Sequence, residues 1–370
     1  MTTTITAADA AEFLSLVPHL LGFAPTQSLV IVPFADGRSA GGIRIDLPAA
    51  DRTDLDAVAA TTIGLACRVS AVDAVAILVY CDEEWGDRPP HATLIDALRR
   101  RVDASGLRLV DALVVTANAW GSLLDPALPA GGKPLTDIIA REFDGAATPV
   151  HAHAAGAELP TASLADRDRV GRALGQLDRA RHVLEGIGVG SDERIDPRAF
   201  IALCTLDDIP AFFEGLLSGA EDATDPDTCA MLIWVLDRPA LRDVGLATWV
   251  RGLDAGDVAL EAQLRWQDGA EYPAAQAEWF MGEGRRPDAE RLVAALEIVR
   301  SAAAVAPRAS RAGVLAVCGW LAWALGRSTH ADTYARGATE IEPEHGLACI
   351  LRSMVAAGYL PDWAFRGGAT

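Results

Sequence analysis

Residues 14–34, LSLVPHLLGFAPTQSLVIVPF, constrain the fold more than any other stretch. Leu14, Val17 and Leu21 recur at three- and four-residue spacing, which predicts a helix with one apolar stripe. Gly22 stands where a helix end turns left-handed, a conformation glycine adopts without strain. Pro25 then stops the helix from resuming, because it lacks an amide donor and restricts the residue before it. Ser28 opens Leu29-Val30-Ile31-Val32, a run without polar alternation, as in a strand covered on both faces.

The pattern continues as alternating strands and helices. Thr6 is the expected N-cap of the first helix, with Asp9 three residues on. Asp36-Gly37 precedes Ile43, Ile45 and Leu47, which alternate with Arg44 and Asp46; this predicts an antiparallel hairpin between strands 28–34 and 41–47. A helix over 52–69, a buried strand over 74–80, a helix from Pro89-Pro90 to about 102 and a strand over 109–115 follow. Such alternation gives parallel crossovers, hence an α/β domain with a mixed, mostly parallel sheet over residues 1–160. Thr148-Pro149 predicts a short helix over 149–155, on which His151 and His153 diverge by about 200° and do not form a metal pair.

From 161 to 370 the reading is all-helical. Ser163 and Asp166 form a capping-box start for a charged helix to about Glu185. Its arginines alternate with aspartates, the pattern of a solvated face laced with ion pairs rather than of an anion-binding stripe. Gly186-x-Gly188-x-Gly190 follows a helix, so it reads as a linker and not a nucleotide fingerprint. Trp234, Trp249, Trp266, Trp279, Trp320 and Trp323 read as helix-packing residues. Gly319, Gly326, Ala331, Ala338 and Pro343 have the spacing of a tetratricopeptide-like (TPR-like) helix pair near 312–345, followed by a last helix over 346–358.

Leu14, Pro18, Leu20, Leu21, Gly22, Phe23, Pro25, Ser28, Leu29 and Val30 together give L-x-x-x-P-x-L-L-G-F-x-P-x-x-S-L-V, which resembles the opening of an actinobacterial family of unknown function. Arg44-Ile45-Asp46-Leu47-Pro48 resembles that family's R-x-D-L-P segment. Trp120-Gly121-Ser122-Leu123 and Gly132-Lys133-Pro134-Leu135 resemble its W-W-S-Y and G-x-P-L region. Many members carry cysteines between those points, where this chain has Leu124-Asp125-Pro126-Ala127-Leu128-Pro129. The resemblance implies a family and no activity, and it carries no thiol or metal role over to this chain.

Composition excludes some functions. A formal net charge of −19 repels phosphate backbones, so neither nucleic acid nor an anionic membrane is an expected partner. No basic, apolar leader opens the chain, and Ala312–Gly326 is shorter than the roughly 20 residues a span requires, so the expected location is cytoplasmic. Cys67, Cys81, Cys204, Cys229, Cys318 and Cys349 lie scattered among apolar neighbours and read as buried, reduced thiols.

No G-x-S-x-G, P-loop, H-E-x-x-H or strand-linked G-x-G-x-x-G occurs. Topology nevertheless predicts where a site lies. Strands 41–47, 74–80 and 109–115 share a direction, so their carboxyl ends meet the start of strand 28–34 along one edge. That edge gathers Ser28, the Asp82-Glu83-Glu84-Trp85 loop and the 118–122 loop, with Ser28, Asp82, Glu84, Asn118 and Trp120 as candidate ligand-binding residues. The acids suit a divalent cation or a polar ligand held between the tryptophan rings, although no metal ligand set and no cofactor is specified. Two functions stay open. One is a non-catalytic binding or regulatory protein, with an α/β ligand-binding half and a helical half for a protein partner. The other is an enzyme with a metal-assisted or acid/base site at the same strand ends.

Overall fold

A computed structural model describes residues 7–49, 52–138, 156–187 and 195–365. The chain separates into two compact units, Met1–Ala155 with Phe365–Thr370, and Gly156–Ala364.

In the first unit, helix α1 spans Ala10–Leu21. Asp9 caps it, its side chain accepting from the Glu12 amide at 2.8 Å, so Asp9 and not Thr6 is the cap; Thr6 lies outside the described residues. Gly22 ends it at φ 80°, its amide donating to the Pro18 carbonyl. Strand β1 (Ser28–Ala35) follows, then β2 (Arg38–Ser39), β3 (Ile43–Asp46), α2 (Leu55–Cys67), β4 (Ala74–Tyr80), α3 (Ala92–Ala104), β5 (Arg108–Val115), β6 (Ala119–Ser122) and β7 (Lys133–Pro134). The sheet is mixed. Both β2 and β3 pair antiparallel with β1 on one side, and β4 pairs antiparallel with it on the other. β4 and β5 are parallel, and β6 and β7 continue antiparallel. β3, β4 and β5 therefore share a direction as expected, but β1 lies between β3 and β4.

Every residue of β4 from Ala74 to Val79 is fully buried, because helices cover both faces of the sheet. On one face Leu29, Ile31, Val75 and Ile77 pack with Ile63 of α2 and Leu94 and Leu98 of α3. On the other Val30, Val32, Ala76 and Leu78 pack with Leu14 and Val17 of α1. β6 stands where a loop was expected at 118–122: four residues that include a glycine carry too little alternation to read as a strand.

The second unit is helical throughout its described residues: α4 (Leu164–Leu184), α5 (Pro197–Thr205), α6 (Ile209–Ser218), α7 (Pro226–Leu236), α8 (Pro239–Arg251), α9 (Leu253–Gln267), α10 (Ala274–Glu278), α11 (Ala289–Val305), α12 (Arg311–Ala324), α13 (Ser328–Ile341) and α14 (Gly346–Ala356). Ser163 caps α4 as the sequence predicts. Asp196, Asp208, Asp225 and Asp288 accept amide bonds at the starts of α5, α6, α7 and α11, so part of the acidic surplus serves as helix caps. α12 and α13 pack as an antiparallel hairpin turned at Gly326, with Gly319 close to the Ala331 carbonyl. A single such pair is a helical hairpin; an array needs stacked neighbours of the same kind.

Four of the six tryptophans expected to pack are core: Trp249, Trp279, Trp320 and Trp323 are at most 3% exposed. Trp234 is partly buried, its indole donating to Asp178 at 3.0 Å. Trp266 departs from the expectation at 55% exposed, in the last turn of α9. Among the cysteines, Cys81, Cys229 and Cys318 are buried, whereas Cys67 and Cys204 are exposed on helix surfaces. The His151–His153 pair and the helix expected over 149–155 lie outside the described residues, as do Gly188 and Gly190. Among the described residues, no helix is long and apolar enough to cross a membrane.

Candidate functional site

Strand register lines up one edge of the sheet. Asp46 faces Ser28, Ser28 faces Tyr80, Tyr80 faces Val115, Val115 faces Trp120 and Trp120 faces Lys133. Directly opposed residues project to the same face, so this row lies on the α1 side. The edge anticipated from topology exists, with β1 beginning where β3, β4 and β5 end.

The row is a structural seam. Ser28 is fully buried; its hydroxyl donates to the Thr26 carbonyl at 2.7 Å and accepts from Arg44 Nε at 2.8 Å. Arg44, with a side chain 8% exposed, also pairs with Asp46 at 2.7 Å. Ser28, Arg44 and Asp46 thus join the two stretches that carry the resemblance. Trp120 is 3% exposed, its indole donating to the Pro134 carbonyl at 3.1 Å, and Lys133 Nζ stands 5.3 Å from its ring centre. Lys133 also holds Asp125 at 2.8 Å, which keeps that carboxyl below the usual range. Burial pushes the Tyr80 phenol well above its ordinary value.

Beyond the strand ends, three loops are tied together. The Asp82 amide donates to Gln27 Oε1 at 3.3 Å, and the Ala117 amide donates to the Glu83 carbonyl at 3.1 Å. Asn118 Oδ1 accepts from the Trp85 amide at 2.8 Å and from the Thr116 hydroxyl at 3.0 Å. Asp82, Glu84 and Asn118 are exposed on this rim. The structure therefore divides the five candidates: three sit on the rim, while Ser28 and Trp120 are interior.

The two tryptophans do not form a clamp. Trp85 belongs to the core with α2 and α3, its indole donating to the Ala130 carbonyl at 3.1 Å, whereas Trp120 belongs to the core with α1. The sheet separates the rings, so a ligand held between them is ruled out. Glycines 121 and 132 make room for Trp85: a Cβ on either would stand 2.8 or 3.0 Å from its ring. A cation cage also loses support, since no group of three His, Cys, Asp or Glu gathers as metal ligands among the described residues.

Sequence reasoning missed His91 and Gln27. His91 precedes α3 in a left-handed conformation at φ 58°, and its ring, 7% exposed, bonds Glu83 at 3.0 Å. Pro89-Pro90 pointed to a helix start and gave no hint of that contact. Gln27, also left-handed at φ 44°, had no local signal. Cys81, under the acidic loop, is no ready nucleophile: burial raises its thiol first, and Glu83 and Asp82 add to the rise.

A family model described as a domain of unknown function (DUF4192) matches residues 11–362. No curated protein and no solved structure matches the chain.

Proposed function

The chain belongs to that family of unknown function, and from this premise we propose that it is a non-catalytic binding protein. The α/β unit takes a small ligand at the rim, and the helical unit binds protein. The observation that carries the rim is the cross-tying of its three loops through Gln27, the Glu83 carbonyl and Asn118. Loops held in place before a ligand arrives lose little conformational freedom on binding. Asp82 and Glu84 offer carboxylates there, with Asn118 beside them, so the matching ligand presents amine or guanidinium donors. The same acidity, within a chain of net charge −19, goes with a cytoplasmic protein that has no nucleic-acid partner.

The test is a thermal-shift series with a polyamine, arginine and divalent cations. A bound ligand at about 100 times its Kd raises stability by about 2.7 kcal/mol. The combined variant Asp82→Asn with Glu84→Gln abolishes the shift if the rim is the site. An unchanged shift places the site elsewhere.

One observation favours the alternative of acid/base chemistry at the same strand ends: the His91–Glu83 pair. Its ring is nearly enclosed, which suits a brace for the loop better than a proton carrier. Conversion of a bound ligand that stops in His91→Gln, with melting unchanged, would decide for the enzyme.

A further inference from the structure

Two helices of the second unit have exposed faces of opposite character. α4 carries Arg167, Arg169, Arg172, Arg179 and Arg181 against Asp166, Asp168 and Asp178, a balance of +2 over the helix, with Arg169 paired to Asp166, Arg172 to Asp168 and Arg181 to Glu185 just past its end. Gly171 and Gly175 lie one turn apart on it and floor an open groove of about 520 Å3, walled by Arg167, Asp168, Arg172, Gln176 and Arg179, with Asp168 pairing with Arg172 at 2.8 Å and the wall keeping a surplus of positive charge. A Cβ on Gly175 would meet nothing within 4 Å, and one on Gly171 would meet Pro307 Cγ at 3.6 Å. A backbone left bare between long side chains admits a second helix at short range.

α9 is the counterpart. Asp254, Asp257 and Glu261 are exposed with Arg265, a balance of −2 over the helix, and Glu261 pairs with Arg265 along it. Leu253, Val258 and Leu264 stand among these acids at 42, 50 and 54% exposed. A helix that keeps such aliphatic side chains in water presents a face made for contact.

We propose that α9 of a second copy of this chain occupies the α4 groove. The charges are complementary, and the lengths agree: residues 167–179 extend about 20 Å and the 15 residues of α9 about 22 Å at the rise of an α-helix. Both faces are exposed within one copy. In a two-fold dimer each copy gives α9 and receives at α4, so the contact forms twice. The inference rests on reading the helical unit as the interaction half and needs nothing at the rim.

Sedimentation of the full chain tests it. Self-association is expected, weakening as salt rises from about 50 to 500 mM because the contact is between charged surfaces. Arg172→Glu with Arg179→Glu reverses α4, and Asp257→Arg with Glu261→Arg reverses α9. Each double variant alone weakens association by about 100-fold, since like charges then face each other. Mixing the two restores it, because reversed α4 meets reversed α9 and the other contact keeps its native charges; this also shows that both variants fold. A monomeric wild type, or association indifferent to both reversals, overturns the proposal. The interaction-half reading falls separately, if photo-crosslinkers at positions 175 and 264 join the chain to no protein in the cell.

Discussion

The α/β unit and the helical unit close their interiors by different means. In the first, Leu29 to Val32 and Ala74 to Val79 form an aliphatic interior whose backbone groups are satisfied by strand ladders. In the second, aromatic rings run in contact from Trp279 and Phe280 through Trp320 and Trp323 to Tyr359 and Trp363. Indole N–H groups bond the backbone here. Trp249 donates to the Phe213 carbonyl, Trp320 to Phe280, Trp323 to Tyr359 and Trp363 to Ala324. Short helices leave carbonyls unsatisfied at every end, and the indoles of Trp320, Trp323 and Trp363 supply donors at such ends and turns, whereas Trp249 adds a bond to a carbonyl within α6. The α/β unit uses the same device at Trp85 and Trp120, beside the short edge strands where its ladder runs out. Trp85, Trp120, Trp249, Trp320, Trp323 and Trp363 thus hold backbone carbonyls, whereas Trp234 bonds the Asp178 carboxylate and the buried Trp279 packs through its ring alone.

The largest test of that contrast is Trp249→Ala. The ring is fully buried, stands 4.6 Å from Phe213 and donates to the Phe213 carbonyl at 2.9 Å. Removing it should cost about 4 kcal/mol, from the cavity and the lost hydrogen bond together. Denaturant unfolding followed by far-UV circular dichroism reads the loss in the helical signal. A cost under about 1 kcal/mol would break the idea that rings carry the helical core. Gly245 belongs to the same contact, since a Cβ there would fall 2.1 Å from the Phe213 ring.

Much of this was legible beforehand. β4 was readable to the residue because nothing polar interrupts Ala74–Tyr80, and α4 because Ser163 and Asp166 form a cap by local chemistry. Strand direction followed from the alternation of elements, and with it the edge holding Asp82 and Asn118. What could not be read were contacts between distant loops. The Trp85 amide and Asn118 are 33 residues apart, and Gln27 and Asp82 are 55 apart. Nor does sequence say on which face of a sheet a tryptophan falls when its strand is as short as β6, because a one-residue shift reverses it. That is how Trp85 and Trp120 were drawn together when the sheet holds them apart.

The next effect concerns an ion pair of the helical unit. Arg291 grips Glu214 through two bonds of 2.9 and 2.6 Å, and its hydrogen bonds hold the Glu214 carboxyl below the usual range. Glu214→Gln should cost about 2 kcal/mol at pH 7, reduced from the buried-pair value because both side chains are about a third exposed. A carboxyl whose folded pKa lies below its unfolded one contributes fully above the unfolded value, near 4.3, and loses that contribution as pH falls through the folded value. Melting curves of wild type and variant should therefore differ at pH 7 and converge in acid below about pH 4. A gap that persists in acid would mean that the pair acts through packing.

Asn118→Ala probes the α/β unit with a smaller effect. It leaves the Trp85 amide without its acceptor, while the Thr116 hydroxyl keeps the Ala119 carbonyl at 2.9 Å, at a cost of about 1 kcal/mol. Hydrogen exchange should speed at Trp85 and Ala117 while the amides of β4 keep their protection. Faster exchange along β4 would show the rim to be part of the core and not a layer set upon it.

The smallest effect is the most informative. Asp82 and Glu84 are exposed, and the one bond tying this part of the loop to Gln27 comes from the Asp82 amide, which survives any change of side chain. Asp82→Asn with Glu84→Gln should therefore alter unliganded stability by no more than about 0.5 kcal/mol. Ser28→Ala, a single buried change on the same edge, should cost about 1 kcal/mol, because Arg44 loses an acceptor in the interior. If the rim carboxylates proved the costlier pair, they would be bracing the loop and their place in a site would be lost. If they are silent in the free protein and decisive with ligand, the edge divides as its burial does, into an interior row that holds the sheet and an outer rim left over for binding.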